Sequence, residues 1–210
     1  MSRLELDNIP FLSVVKRARY YVSLLKAGEI LRRYFIMNMF DGILTVMGII
    51  VGAKVLGALN PKVIVGTTLG ASLAMGISGF AGAFMTERAE RIREVKELER
   101  SLFTNLNNSV ISEASSFVAL LAAIVDALAP LLASLTSSLP FLLSIFNLID
   151  SVTAFNLSML TGSALLICLG VYLGKVCGEN PVKYGAYMFL SGLVVAVLTA
   201  LIGGILGWRS

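Results

Sequence analysis

The chain predicts an all-α membrane protein with five transmembrane helices, and three observations carry that prediction. Of its 210 residues, 57% are hydrophobic and 14% charged, and the mean hydropathy of +0.85 lies far above that of a soluble domain. Five apolar stretches, 34–58, 62–86, 111–135, 151–175 and 182–207, each reach the roughly 20 residues needed to cross a bilayer. The basic residues gather in alternate connections, fourteen on one side against three on the other. Little chain is left over for a soluble domain, so an appended globular enzyme is excluded.

The elements follow in order. Residues 1–33 carry Arg3, Lys16, Arg17, Arg19, Lys26, Arg32 and Arg33 and no spanning run; Phe11, Val14, Val15, Ala18, Val22 and Leu25 recur at helical spacing. This segment reads as a cytoplasmic amphipathic helix lying against lipid headgroups. Residues 34–86 hold the first two spans. Residues 87–110 read as a short cytoplasmic acidic helix and a linker, and 111–210 hold spans three to five. Leu139 to Ile149 is a further apolar segment, open to reading as a helix extension, a surface helix or a re-entrant segment, with breaks or kinks expected at Pro140 and Asp150. Glu113 belongs at the start of the third span, where the helix dipole favours it.

Five basic residues follow the second span (Arg88, Arg91, Arg93, Lys96, Arg100), and Lys175 and Lys183 flank the fourth loop. Lys54, Lys62 and Arg209 lie on the other side. This asymmetry puts the N-terminus in the cytoplasm and, with five spans, the C-terminus outside the plasma membrane. The net charge of +4 therefore reads as a topology signal and not as a nucleic-acid surface. With no histidine, there is no Ser-His triad or imidazole ligand, and Cys168 and Cys177, nine apart, match neither a zinc spacing nor a disulfide framework. The chain is not expected to be an enzyme, nor to hold a resident cofactor.

Carboxylates must then carry any polar chemistry. Asp41 lies inside the first span, and an ionisable group at bilayer depth is costly enough to mark a functional site. Asn38 and Thr45, at i−3 and i+4, share its face and complete a stripe of oxygen ligands suited to a divalent cation or a proton. Gly42, Gly48 and Gly52 beside it would let another helix come close, including one from a second copy of the chain. The plainer alternative is that Asp41 accepts hydrogen bonds from Asn38 or a neighbouring helix and fixes packing. In the second span Thr68, Ser72, Met75, Gly79 and Gly82 share a face of small residues, with Met75 a soft ligand or core filler. Glu87, Glu90, Glu94 and Glu97 recur at spacings of three, four and three. They read either as a metal-collecting surface or as members of helical salt bridges: Glu87 with Arg91, Arg93 with Glu97, and Lys96 with Glu99. Asp126 and Asp150 are secondary candidates for an ion or proton path.

Three stretches resemble the vacuolar iron transporter family: LRRYFIMNMFDGILTVMGIIVGA (31–53), LGASLAMGISGFAGAFMTERAE (69–90) and LGVYLGKVCGENPVKYGAYMFLSGLVVAVLTALIGGILG (169–207). Together they cover about half of the chain. The resemblance implies a five-span homodimer that moves Fe²⁺ or Mn²⁺ out of the cytosol in exchange for protons, with the family's intramembrane aspartate at Asp41. Phe40 replaces the family's usual asparagine before it. The family's second-span methionine ligand falls on Gly79 and its Gly-Glu-Tyr glutamate on Ala83, so both side chains are missing; Met75 stands one turn earlier. The three-helix cytoplasmic metal module shrinks to about one helix, for which Glu87, Glu90, Glu94 and Glu97 stand.

The functional expectation is a divalent-metal transporter with Asp41 as central ligand, Asn38, Thr45 and Met75 as companions, and the four glutamates as a cytoplasmic approach site. Its partners would be the metal, protons, membrane lipid and a second copy of the chain. The alternative is a non-transporting membrane scaffold or partner-binding subunit.

Overall fold

The structure is a computed structural model and describes residues 19–103 and 109–207. Every element among them is a helix: α1 (19–24), α2 (Gly28–Val55), α3 (Pro61–Leu102), α4 (Val110–Ile145), α5 (Ser151–Cys177) and α6 (Pro181–Gly207). The last five are long and apolar enough to cross a membrane. The chain is thus an all-helical, multi-pass membrane protein. The N-terminal amphipathic helix expected in 1–33 lies, up to residue 18, outside the described residues.

The helix ends are written in the sequence. Asn60 and Asn180 each precede a proline, Pro61 and Pro181, whose fixed φ and missing N–H suit the first helical position. Lys62 N–H donates to Asn60 Oδ1 at 3.0 Å, and Val182 N–H to Asn180 Oδ1 at the same distance, which starts α3 and α6. Three helices close on a left-handed residue with paired backbone bonds back into the last turn. These are Gly57 after α2, Asn147 after α4 and Gly178 after α5, with φ of 69°, 57° and 69°; Ala58, Leu148 and Glu179 donate back to Ala53, Leu143 and Gly174.

Asp150 caps α5, accepting from Val152 N, Thr153 N and Thr153 Oγ1 at 3.0, 3.0 and 2.5 Å. It is the break expected there. These bonds, the Thr153 hydroxyl first among them, hold its carboxyl below the ordinary carboxylate range. A lowered folded-state pKa adds stability that is present above the unfolded value of about 3.9 and is lost as pH falls through the lower native value. Asp150→Ala is therefore expected to flatten the acid side of a stability–pH profile followed by thermal unfolding, and an unchanged profile would show that the cap adds nothing.

Two expectations are corrected. The acidic stretch is not a separate short helix, because α3 runs unbroken for 42 residues from Pro61 to Leu102. After Gly82 there is no glycine or proline up to Leu102 to stop it, only strong helix formers over most of its length. Pro140 does not end the third span either: α4 continues through Pro130 and Pro140 to Ile145, so residues 139–145 are a helix extension and 146–150 the turn. In a bilayer, leaving the helix would expose still more backbone groups with no water to receive them, so the helix runs on through the proline. Glu113 lies in the first turn of α4 as expected.

The residues form two compact units. One contains the described part of Met1–Phe35 and Ser78–Ala127; the other contains Ile36–Ile77 and Leu128–Ser210. In the second unit α2 is the hub. Ile36, Met39, Ile43 and Met47 pack with Ala129 and Ala133 of α4 and Leu166 and Leu169 of α5. Val46 and Ile50 pack with Ile64, Val65, Phe141 and Ala154. In the first unit a run of small, fully buried residues on α4 (Ala114, Val118, Ala119, Ala122, Ala123) forms the core, and Tyr21 meets Phe117 edge-on with ring centroids 5.6 Å apart.

Candidate functional site

The glycines beside Asp41 are used within the chain. A Cβ on Gly42 would lie 2.8 Å from Ala133 Cβ and 2.9 Å from Pro130 Cα, so α2 and α4 pack backbone to backbone there. At Gly48 and Gly52 it would meet Val195 and Thr199 of α6 at 3.4–3.7 Å. The expectation that these glycines hold a place for a second subunit is thus corrected, because the chain's own helices already fill it.

Asp41 itself points elsewhere. It sits near the middle of the 28-residue helix α2, yet it is exposed on the chain's surface. Asn38 and Thr45 beside it are partly buried. Among the described residues Asp41 forms no hydrogen bond or ion pair, so the packing alternative is not satisfied inside one copy. Met75, also in the second unit, is partly buried. A carboxylate at mid-helix on a surface that must face hydrocarbon or another protein is costly unless something covers it.

The four glutamates separate. Glu87 and Arg91 are buried, each 6% exposed, and Tyr34 Oη donates to Glu87 Oε1 at 3.1 Å. Arg91 holds Glu94 at 2.8 Å and Glu87 at 3.8 Å. On the outer side Arg93 pairs with Glu90 at 2.5 Å and with Glu97 at 3.9 Å. Each of the four is therefore paired with an arginine, two glutamates sharing each guanidinium, and among the described residues no group of three or more Asp, Glu or Cys is placed to hold a metal. Two of these pairs, Glu87–Arg91 and Arg93–Glu97, follow the sequence spacing; the closer ones, Arg91–Glu94 and Arg93–Glu90, were not foreseen.

Two juxtapositions were not foreseen from the sequence. Asp126 is 4% exposed, and its Oδ2 lies where a Cβ on Gly79 would be. The position to which the resemblance assigns a methionine ligand thus holds a carboxylate from α4. In the second unit Ser72 of α3 bonds Ser134 of α4, while the fully buried hydroxyls of Ser137 and Ser158 have no partner. The serine pattern on α4 was visible, but its match to α3 depends on how the two helices line up.

Against known proteins, the chain is 31% identical over 178 residues to the uncharacterized protein MJ0645 of Methanocaldococcus jannaschii, covering 83% of this chain and 90% of that one. The chain belongs to that protein's family. No family model and no solved structure matches the chain.

Proposed function

We propose that this protein is a carrier of a divalent metal, Fe²⁺ or Mn²⁺, exporting the ion across the plasma membrane in exchange for protons. In this reading the N-terminus is cytoplasmic and the C-terminus outside. The observation that carries it is Asp41: a carboxylate at mid-helix, flanked by Asn38 and Thr45, exposed and without a partner among the described residues. A second copy laid over that face would bring two carboxylates, two amides and two hydroxyls together, an oxygen-rich site for a hard or borderline cation. Removed from water, the same carboxylates also accept protons, which links metal release to proton uptake. Met75 is a further candidate ligand. Glu87, Glu90, Glu94 and Glu97 would serve the cytoplasmic approach only by exchanging their arginines for metal. The complete arginine pairing favours a second reading, in which the chain is a scaffold or partner-binding subunit.

Uptake of Fe²⁺ and Mn²⁺ by proteoliposomes under an imposed pH gradient separates the two. A carrier accumulates metal with the native chain, loses at least tenfold with Asp41→Ala, and loses less when the four glutamates become alanine. Correctly folded protein that moves neither metal would leave the scaffold reading.

A further inference from the structure

The first unit contains a cavity of about 110 Å³. Its polar wall is made by Arg88, Arg91 and Lys96 of α3 and by Ser112, Ser115 and Ser116 of α4, with Glu99 its one carboxylate. The spacings, three and five on α3 and three and one on α4, turn each set onto one helix face. Arg91 lies deep: its side chain is 7% exposed and its two terminal nitrogens engage Glu94 and Glu87. Its Nε is buried without a hydrogen-bond partner among the described residues. Arg88 is braced against the Phe84 ring, its guanidinium carbon 5.7 Å from the centroid.

Three classes of ligand can be weighed against this wall. A metal cation would face the cationic Arg88 and Lys96 beside an Arg91 already held by Glu87 and Glu94, with Glu99 the one carboxylate on the wall. An apolar group would offer no acceptor to the Arg88, Lys96 and serine side chains of the wall. A tetrahedral oxyanion supplies what the wall lacks: acceptors for a guanidinium, an ammonium and rotatable hydroxyls, with charge-assisted bonds among the strongest available. At about 30 Å³ per water, the space is that of several waters and admits a phosphate group. The lining positions 88–99 directly follow the apolar stretch 62–86, and basic pockets beside membrane spans bind headgroup phosphates.

We propose that this cavity binds the phosphate group of a phosphoester, delivered by an anionic lipid headgroup or by a soluble phosphate. The test uses the full-length chain without metal, so it is independent of transport. One arm follows thermal unfolding with inorganic phosphate against chloride at matched ionic strength. The other counts phosphatidylglycerol retained from mixed phosphatidylcholine bilayers by native mass spectrometry. The variant Arg88→Gln/Lys96→Gln removes two charges and spares Arg91; with each worth about a factor of five at such a surface, binding should weaken roughly 30-fold. Should that variant fail to fold, Ser112→Ala/Ser116→Ala removes two hydroxyl donors and should also weaken binding. Saturable stabilisation by phosphate that the variant loses identifies a soluble source. Retention of phosphatidylglycerol that the variant loses, without a phosphate effect, identifies a lipid source. Silence in both arms, or variants that bind like the native chain, would overturn the proposal.

Discussion

Asp41→Asn is expected to fold at least as well as the native chain in metal-free bilayers while losing all metal-dependent stabilisation. The two halves of that result have different origins. A charged aspartate near the centre of a span costs about 2.5–3.5 kcal/mol on insertion scales, and asparagine of the same shape carries no charge. Because Asp41 has no hydrogen bond or ion pair among the described residues, its replacement removes no interaction seen within one chain. Metal bound to the native state alone would raise native stability by about 2.7 kcal/mol at a hundredfold excess over Kd, and the Asp41→Asn variant should show none of this rise. If the variant were instead less stable by several kcal/mol with its metal response intact, Asp41 would be a packing residue and the carrier reading would fail at its centre.

Arg91→Ala should have the largest effect on stability. Arg91 and Glu87 are both buried, and removing one member of a buried pair leaves an uncompensated charge, at a cost of about 3–5 kcal/mol. For a chain of this size that is a fall in Tm of roughly 10 °C. The exposed Arg93, whose side chain is 65% accessible, makes pairs worth about 0–1 kcal/mol, so Arg93→Ala is the internal control. Adding Glu87→Gln to Arg91→Ala should recover part of the loss, because it removes the stranded charge. Equal Tm values for Arg91→Ala and Arg93→Ala would contradict the buried network.

How far the sequence discloses this molecule depends on whether a feature is local. The five spans are local, since hydropathy alone locates them, and so are the Asn-Pro starts at 60–61 and 180–181. The length of α3 was misread as two elements, although no glycine or proline follows Gly82 before Leu102 to stop the helix. At Pro140 the helix extension, one of the readings the sequence left open, is the one observed, because ending the helix there would free more backbone groups than the proline does. Asp41 was legible as an intramembrane charge. Its exposure was not, because that depends on which faces of α2 the other helices take. Gly42, Gly48 and Gly52 announced close packing without naming α4 and α6 as the helices that fill the space. Arg91 was the least legible. In a stretch alternating glutamate and arginine nothing marks one cation as buried, because burial depends on how other helices pack against α3.

The central claim is that Asp41 is a metal ligand that gives up protons at a site completed by a second copy. Titration of the purified chain with Mn²⁺, reading bound metal by the loss of the free-ion paramagnetic signal and released protons in weak buffer, tests it most directly. The account predicts saturation at one Mn²⁺ per two chains, proton release in step with binding, and loss of both in Asp41→Asn. Binding of equal stoichiometry by Asp41→Asn, or binding without proton release, would contradict it.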